Sequence, residues 1–420
     1  MPWCVSRCWS LTGPLGGPGF PCWRRSAISP RSNSSRGGAA TEVRTAHAQH
    51  FAGREADILA LWDSPRQREA YDWFTAELAN LRAAFRWAAD HGDLDDAAAV
   101  IATYAAFLGV MVENYEPIAW AEELIGPARA VDHPRLAALY VVASQCYLAG
   151  RTDDAVRYSN AGEMVMSAGC YEVPFGVEGV EEKLGGAYVF IGQPERAAEW
   201  CRTQLARGRD THTLTRASLV LCLAIAGSFD EAMAAATGLI DAAEEARNPH
   251  ALSYALLAQG FARRDTDPSR ALEDTRRGLV IAQDSGNRAN ESHLAASLCR
   301  LEAAHGDPSA ALDYFALSIR NYHDSGDTTT IRVPLAILAT FLDRLGCHEP
   351  AATVAGFAFD PLTAAWVPEL GTAIAHLREV LGDQVYESFA RKGKTMTTAA
   401  MATYAYDQID RARASITHAG

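Results

Sequence analysis

The chain has 420 residues, 49% of them hydrophobic, with a mean hydropathy of −0.09, a formal net charge of −13 and a pI near 5.4. That is enough apolar material for a large buried core, which excludes a chain disordered throughout. The acidic balance argues against a dedicated nucleic-acid binder, because neutralising phosphates requires a basic face.

Residues 1–40 contain no Asp, Glu, Lys or His, but five Arg, three Trp, three Cys and eighteen Pro, Gly or Ser. They lack apolar periodicity and balanced charge, so disorder is expected there. The composition is also what a GC-rich gene yields when read from a wrong start, and the segment is read as a disordered or artefactual tail. The Arg24-Arg25 pair is followed by a polar stretch with no apolar region, which argues against an export signal. No run of 18 apolar residues occurs to span a bilayer. The nine cysteines show no Cys-x-x-Cys spacing. They read as reduced, small hydrophobes in a cytoplasmic protein.

From Thr41 onward the chain reads as amphipathic helices separated by turns. Phe74, Leu78, Leu81 and Phe85 are spaced by 4, 3 and 4 residues and fall on one helical face, as do Leu335, Leu338, Phe341, Leu342 and Leu345. Trp62, Tyr71, Trp73, Trp87 and Trp120 crowd the first third and are assigned to core packing at one end of the fold.

An internal repeat is the stronger signal. A Gly followed five residues later by Ala occurs at Gly92/Ala97, Gly150/Ala155, Gly192/Ala197, Gly227/Ala232, Gly306/Ala311 and Gly346/Ala351, with Thr266/Ala271 as a degenerate copy. The starts at 192, 227, 266, 306 and 346 step by 35, 39, 40 and 40 residues, and the Asp-Ser-Gly turns ending at Gly286 and Gly326 are also 40 apart. Glycine ends one helix in a left-handed backbone, the chain turns, and the small alanine lets the next helix lie close to the first. Asp267-Pro268 and Asp307-Pro308 place a capping carboxylate before a proline at the first helical position. One such hairpin cannot bury its own apolar face, so neighbours must stack. The expectation is an all-α, tetratricopeptide-like α-solenoid of stacked helical hairpins over 41–366. Helices in 367–420 are expected to pack on it and cap it.

Candidate chemistry is sparse. Ser388 to Thr395, ending Gly393-Lys394-Thr395, comes nearest to a phosphate loop but has Ser388 where glycine is needed and a helical pattern before it. Arg391, Lys392 and Lys394 read instead as a solvated helix end. His47 and His50 can share a helix face, yet no acidic or Cys ligand follows at metal spacing, and they read as surface histidines. A metal site would need its ligands brought together by the fold. Asp95-Asp96, Asp153-Asp154 and Asp230-Glu231 recur in one register and so read as helix-start carboxylates rather than catalytic pairs. The sequence assigns no catalytic, cofactor-binding or metal-binding residue, and it does not separate groove positions from the outer face.

The Gly-x-x-x-x-Ala register resembles the tetratricopeptide hairpin, with a longer period and most signature aromatics missing. Two segments, FTAELANLRAAFRWAADHGDLDDAAAVIATYAAFLG (Phe74 to Gly109) and VPELGTAIAHLREVLGDQVYESFARKGKTMTTAAMATYAYDQIDRAR (Val367 to Arg413), resemble the helical-repeat region of large bacterial LuxR-type and cyclase-linked signalling-ATPase regulators. The resemblance covers about residues 46–415. It implies a stand-alone or truncated sensor region without the family's phosphate loop, cyclase core or helix-turn-helix. The expected function is that of a non-enzymatic regulatory module without cofactors. It would bind a protein partner, a signalling ATPase or LuxR-type regulator, or a small effector on its concave face. The alternatives are a transcriptional regulator acting with an ATPase or DNA-binding partner, and a decayed gene fragment. Direct binding of nucleic acid or membrane is not expected.

Overall fold

In the computed structural model, residues 33–169, 171–208, 210 and 212–419 are described. The expected tail over 1–40 lies outside them as far as residue 32; residues 33–40 belong to the helix Asn33–Ala52. Among the described residues there are helices and turns and no strand, and no helix is long and apolar enough to cross a membrane.

Helices adjacent in sequence pack as antiparallel pairs. Pro249–Arg263 lies against Pro268–Ser285, Arg288–His305 against Pro308–Ser325, and Arg332–Arg344 against His348–Ala358. Each pair also packs on the next, giving the α-solenoid of stacked hairpins that the repeat predicts. The turn chemistry follows the sequence register. Gly92, Gly150, Gly192, Gly227 and Gly346 all have φ between 71° and 81°. The residue after each donates its N–H to a carbonyl five positions back, as Ser228 does to Leu223 at 2.9 Å and Cys347 to Leu342 at 2.9 Å. These bonds satisfy carbonyls that a helix end leaves open.

The alanines of the register, Ala97, Ala155, Ala197, Ala232, Ala271, Ala311 and Ala351, are each 0% exposed. Asp267 accepts from the N–H of Arg270, and Asp307 from that of Ser309, so both Asp-Pro pairs cap their helices. Asp153, Asp154, Asp230 and Glu231 sit in first turns, where carboxylates suit the helix dipole.

Two details differ from the expectation. Gly306 has φ −121° and ψ −137°, not a left-handed backbone. There the Glu302 carboxylate occupies the turn, accepting from the N–H of Asp307 at 3.0 Å. Leu345 falls just beyond its helix and is 39% exposed, while Leu335, Leu338, Phe341 and Leu342 are buried.

Between Tyr171 and Phe190 the regular hairpin gives way to 3-10 segments, Pro174–Gly176 and Val180–Gly185, and the short helix Gly186–Phe190. Gly176, Gly179, Gly185 and Gly186 dilute helix propensity here, and Gly179 has φ 93°. At the far end, Leu370, Leu377, Met401 and Ile409 share one apolar cluster with Phe315 and Phe341 of the last hairpins.

Within residues 44–420 the superhelix also closes on itself. Arg68 donates to the carbonyls of Asp284, at 2.7 Å, and of Gln283. The Gln67 amide donates to Asn248 Oδ1 at 3.1 Å. Where stacking of hairpins alone suggests one open groove, elements some 180 to 216 residues apart meet and turn the concave side into an interior.

Candidate functional site

The interior is a cavity of about 130 Å³ to which most of the superhelix contributes. Val110 and Met111 reach it from the end of the helix Ala99–Met111, and Glu113 from the turn that follows. Glu182 and Lys183 enter from the 3-10 segment that interrupts the repeat. His250 and Tyr254 come from the helix Pro249–Arg263, His293 from Arg288–His305, and Asp327 from the turn after Pro308–Ser325. The wall is therefore a mosaic drawn from all three thirds of the chain, with residues of the middle third in the majority. A ligand that touched Glu113 and Asp327 together would bridge the first and last thirds of the chain.

Two carboxylates set its electrostatics. Glu113 adopts a left-handed backbone, φ 58°, an uncommon conformation for a residue with a side chain. The turn brings its carboxylate indoors, where neither oxygen has a donor in hydrogen-bonding geometry. The Nε of Arg288 stands 3.6 Å away. Burial pushes the Glu113 carboxyl up to about 7, with Ser292 and Arg288 pulling the other way. Asp327 is also buried. Its Oδ1 accepts from the N–H groups of Thr329, at 3.0 Å, and Thr330, at 2.7 Å, while Oδ2 has no donor. Burial raises this carboxyl to about 7 as well.

Opposite them, Glu182 accepts from the Ser218 hydroxyl at 2.7 Å and lies 3.4 Å from the Lys183 ammonium. Burial holds the imidazoles of His250 and His293 below the ordinary histidine range, the latter at about 4, so both are neutral near pH 7. Tyr322 and the Nδ1 of His293 are hydrogen bonded at 2.8 Å. The cavity is thus rich in acceptors: among the described residues, three carboxylate oxygens of Glu113 and Asp327 lack a hydrogen-bond partner, as does one donor, the Trp366 indole N–H. A carboxylate left without a donor in a buried site is costly. Its complement is a small molecule that brings a cation or several N–H donors.

None of these residues was singled out in the sequence. Glu113 and Asp327 follow helix ends in ordinary turns, and their separation of 214 positions hides their approach from any local pattern. An acidic residue forced into a left-handed backbone leaves no sequence trace.

The aromatic and histidine residues that stand out in the sequence lie elsewhere. Trp62 is buried in edge-to-face contact with Phe107, and its N–H donates to the Tyr71 hydroxyl at 3.2 Å. Trp120 stacks on Phe85, and Trp73 and Trp87 pack half-buried on the same core. His47 and His50 both lie against Phe51, at 4.9 and 5.3 Å between ring centres. They are not part of the grouping with metal-ligating geometry found among the described residues.

Gly393, central to the phosphate-loop likeness, lies in the helix Asp383–Lys394, not in a loop. A Cβ there would stand 1.8 Å from the Thr353 carbonyl oxygen, and one at Gly356 2.2 Å from that of Ala390. The two glycines let the helices approach backbone to backbone. Lys394 is exposed, and Lys392 lies 5.6 Å over the ring of Tyr404.

No family model matches the sequence, and no curated protein matches it. Among solved structures, the chain is similar to Rap protein in its crystal structure complexed with competence and sporulation factor. The two share 11% identity over 88% of this chain and 99% of that one, with a TM-score of 0.47. A likeness at this level carries no function from one chain to the other.

Proposed function

We propose that this chain is a non-enzymatic regulatory module that takes up a small cationic or donor-rich effector in its inner cavity and passes its occupancy to a protein partner. The observation that carries the reading is the buried carboxylate of Glu113, with Arg288 Nε at 3.6 Å and no donor in hydrogen-bonding geometry, in the same cavity as Asp327, whose Oδ2 has none either. An amine or guanidinium placed there supplies charge-assisted hydrogen bonds, stronger than neutral ones. Because it bonds to first-third and last-third residues together, it favours the closed superhelix over any looser one, and that differential affinity is what shifts a population. The partner would then read the outer surface, since the concave side is occupied by the protein itself.

Thermal melting of the full chain with putrescine, spermidine, agmatine and arginine tests the proposal. At least one is expected to raise Tm, and the Glu113→Gln/Asp327→Asn double variant is expected to lose that rise. A panel that leaves Tm unchanged, or that raises it equally in the double variant, overturns the reading.

A second, finer reading concerns the partner. The resemblance of Phe74 to Gly109 and of Val367 to Arg413 to LuxR-type and cyclase-linked regulators favours a signalling ATPase or LuxR-type protein, in the cytoplasm, over nucleic acid or membrane. The acidic chain favours a basic or amphipathic segment of that partner, since complementary charge speeds encounter and fixes register. Co-purification with an ATPase encoded beside the gene supports this reading. Its absence in a cell that expresses both proteins counts against it.

A further inference from the structure

Outside the cavity lining described above, three side chains from three helices converge. Asp343 lies in the last turn of Arg332–Arg344, His348 begins His348–Ala358, and His376 is in Glu369–Leu381. Asp343 is buried, and among the described residues it pairs with these two histidines and with no Lys or Arg. His348 Nδ1 is 3.2 Å from Asp343 Oδ1, and His376 Nδ1 is 3.0 Å from both Oδ1 and Oδ2. The two imidazoles stand edge to face with their centres 5.7 Å apart. The three donor atoms all lie within 4.8 Å of one another.

We infer that Asp343, His348 and His376 form a binding site for a divalent transition-metal ion of the zinc type. Both imidazoles turn the same ring nitrogen to one carboxylate. Separations of 3.0–3.2 Å are those between neighbouring ligand atoms about one ion with bonds of roughly 2.0–2.1 Å. Two imidazoles and one carboxylate suit Zn²⁺, Co²⁺ or Ni²⁺, whereas Ca²⁺ and Mg²⁺ prefer all-oxygen sets. His376 has 48% of its side chain exposed, so an ion can enter from solvent and keep at least one position for water or a partner's side chain. The ion would clip Glu369–Leu381 to the last repeat hairpin.

The competing arrangement is two Nδ1–H groups donating to Asp343 with no affinity for metal. Calorimetric titration of the chelator-stripped full chain with Zn²⁺ separates the two, with Co²⁺ absorption as a second readout. We expect one ion per chain, and visible Co²⁺ bands typical of a low-coordinate site with nitrogen ligands. His376→Ala, a surface change whose folding circular dichroism checks, and Asp343→Asn should each weaken Zn²⁺ binding by at least about 10-fold. The His47→Ala/His50→Ala variant should leave it unchanged. No stoichiometric uptake, uptake that persists in His376→Ala, or uptake lost only in the His47/His50 variant overturns the site.

Discussion

The hydroxyl of Thr329 donates to the carbonyl of Tyr147 at 2.7 Å, joining two buried points 182 residues apart in the chain. Tyr147 lies within the 3-10 segment Ser144–Ala149 in the first half of the superhelix, and Thr329 belongs to the turn that Asp327 organises. The bond marks where the solenoid closes and where a cavity residue is held in place. Thr329→Val preserves shape and removes the donor, leaving a buried carbonyl without this partner. It should cost about 1–3 kcal/mol in chemical denaturation. Hydrogen exchange should speed up around both Tyr147 and Thr330. An unchanged midpoint with unchanged exchange would show that the closure does not depend on this contact.

The repeat register predicts that Ala232 tolerates no large side chain. It is 0% exposed in the turn-and-helix unit that starts at Gly227. Ala232→Arg forces volume and charge into a tight helix pair and should cost several kcal/mol. A thermal midpoint equal to that of the wild type would refute the register.

At the C-terminal end the same logic separates Gly393 from its neighbour. Gly393→Val drives a side chain into the Thr353 backbone and should lower Tm sharply, whereas Lys394→Ala, at an exposed position, should leave it nearly unchanged. Neither variant should alter nucleotide turnover, because the isolated chain is expected to hydrolyse neither ATP nor GTP. Turnover above buffer that Lys394→Ala abolishes would restore the phosphate-loop reading.

Glu113 and Asp327 make stability depend on pH. Both have folded-state pKa values raised to about 7 from ordinary values of 4.5 and 3.8, so the native state holds protons that the unfolded chain releases. Their contribution is fully present below about pH 4 and is lost as pH rises through 7. Glu113→Gln removes the buried charge at constant shape. It should therefore stabilise the protein at pH 8 by up to ~3 kcal/mol, since each tenfold change in proton affinity is worth about 1.4 kcal/mol, and have little effect at pH 5. Urea midpoints at the two pH values measure the difference, and equal effects at both would place the Glu113 carboxyl back in the usual range. A cationic effector should bind the ionised form, so its affinity should increase as pH rises from 6 to 8.

What the sequence by itself determined is local and periodic. The Gly-to-Ala spacing located the turns and the buried alanines because helix termination, capping and close approach each depend on a few consecutive residues. Ala97, Ala232 and Ala351 lie where that spacing puts them, and Asp267 and Asp307 cap as their prolines suggest. Gly306 shows the limit, since a side chain from the previous turn replaced the backbone conformation that its position in the repeat implied. Closure of the superhelix was decided by tertiary structure alone. It depends on the summed rotation from hairpin to hairpin and on contacts such as Gln67 with Asn248, which no window along the chain contains. The sites too are tertiary: Glu113 and Asp327 line one cavity from positions 214 apart, and Asp343, His348 and His376 come from three helices. Carboxylates and imidazoles at helix ends look alike in sequence whether they face water or each other. Burial and proximity, which set their chemistry, exist only once the helices have packed.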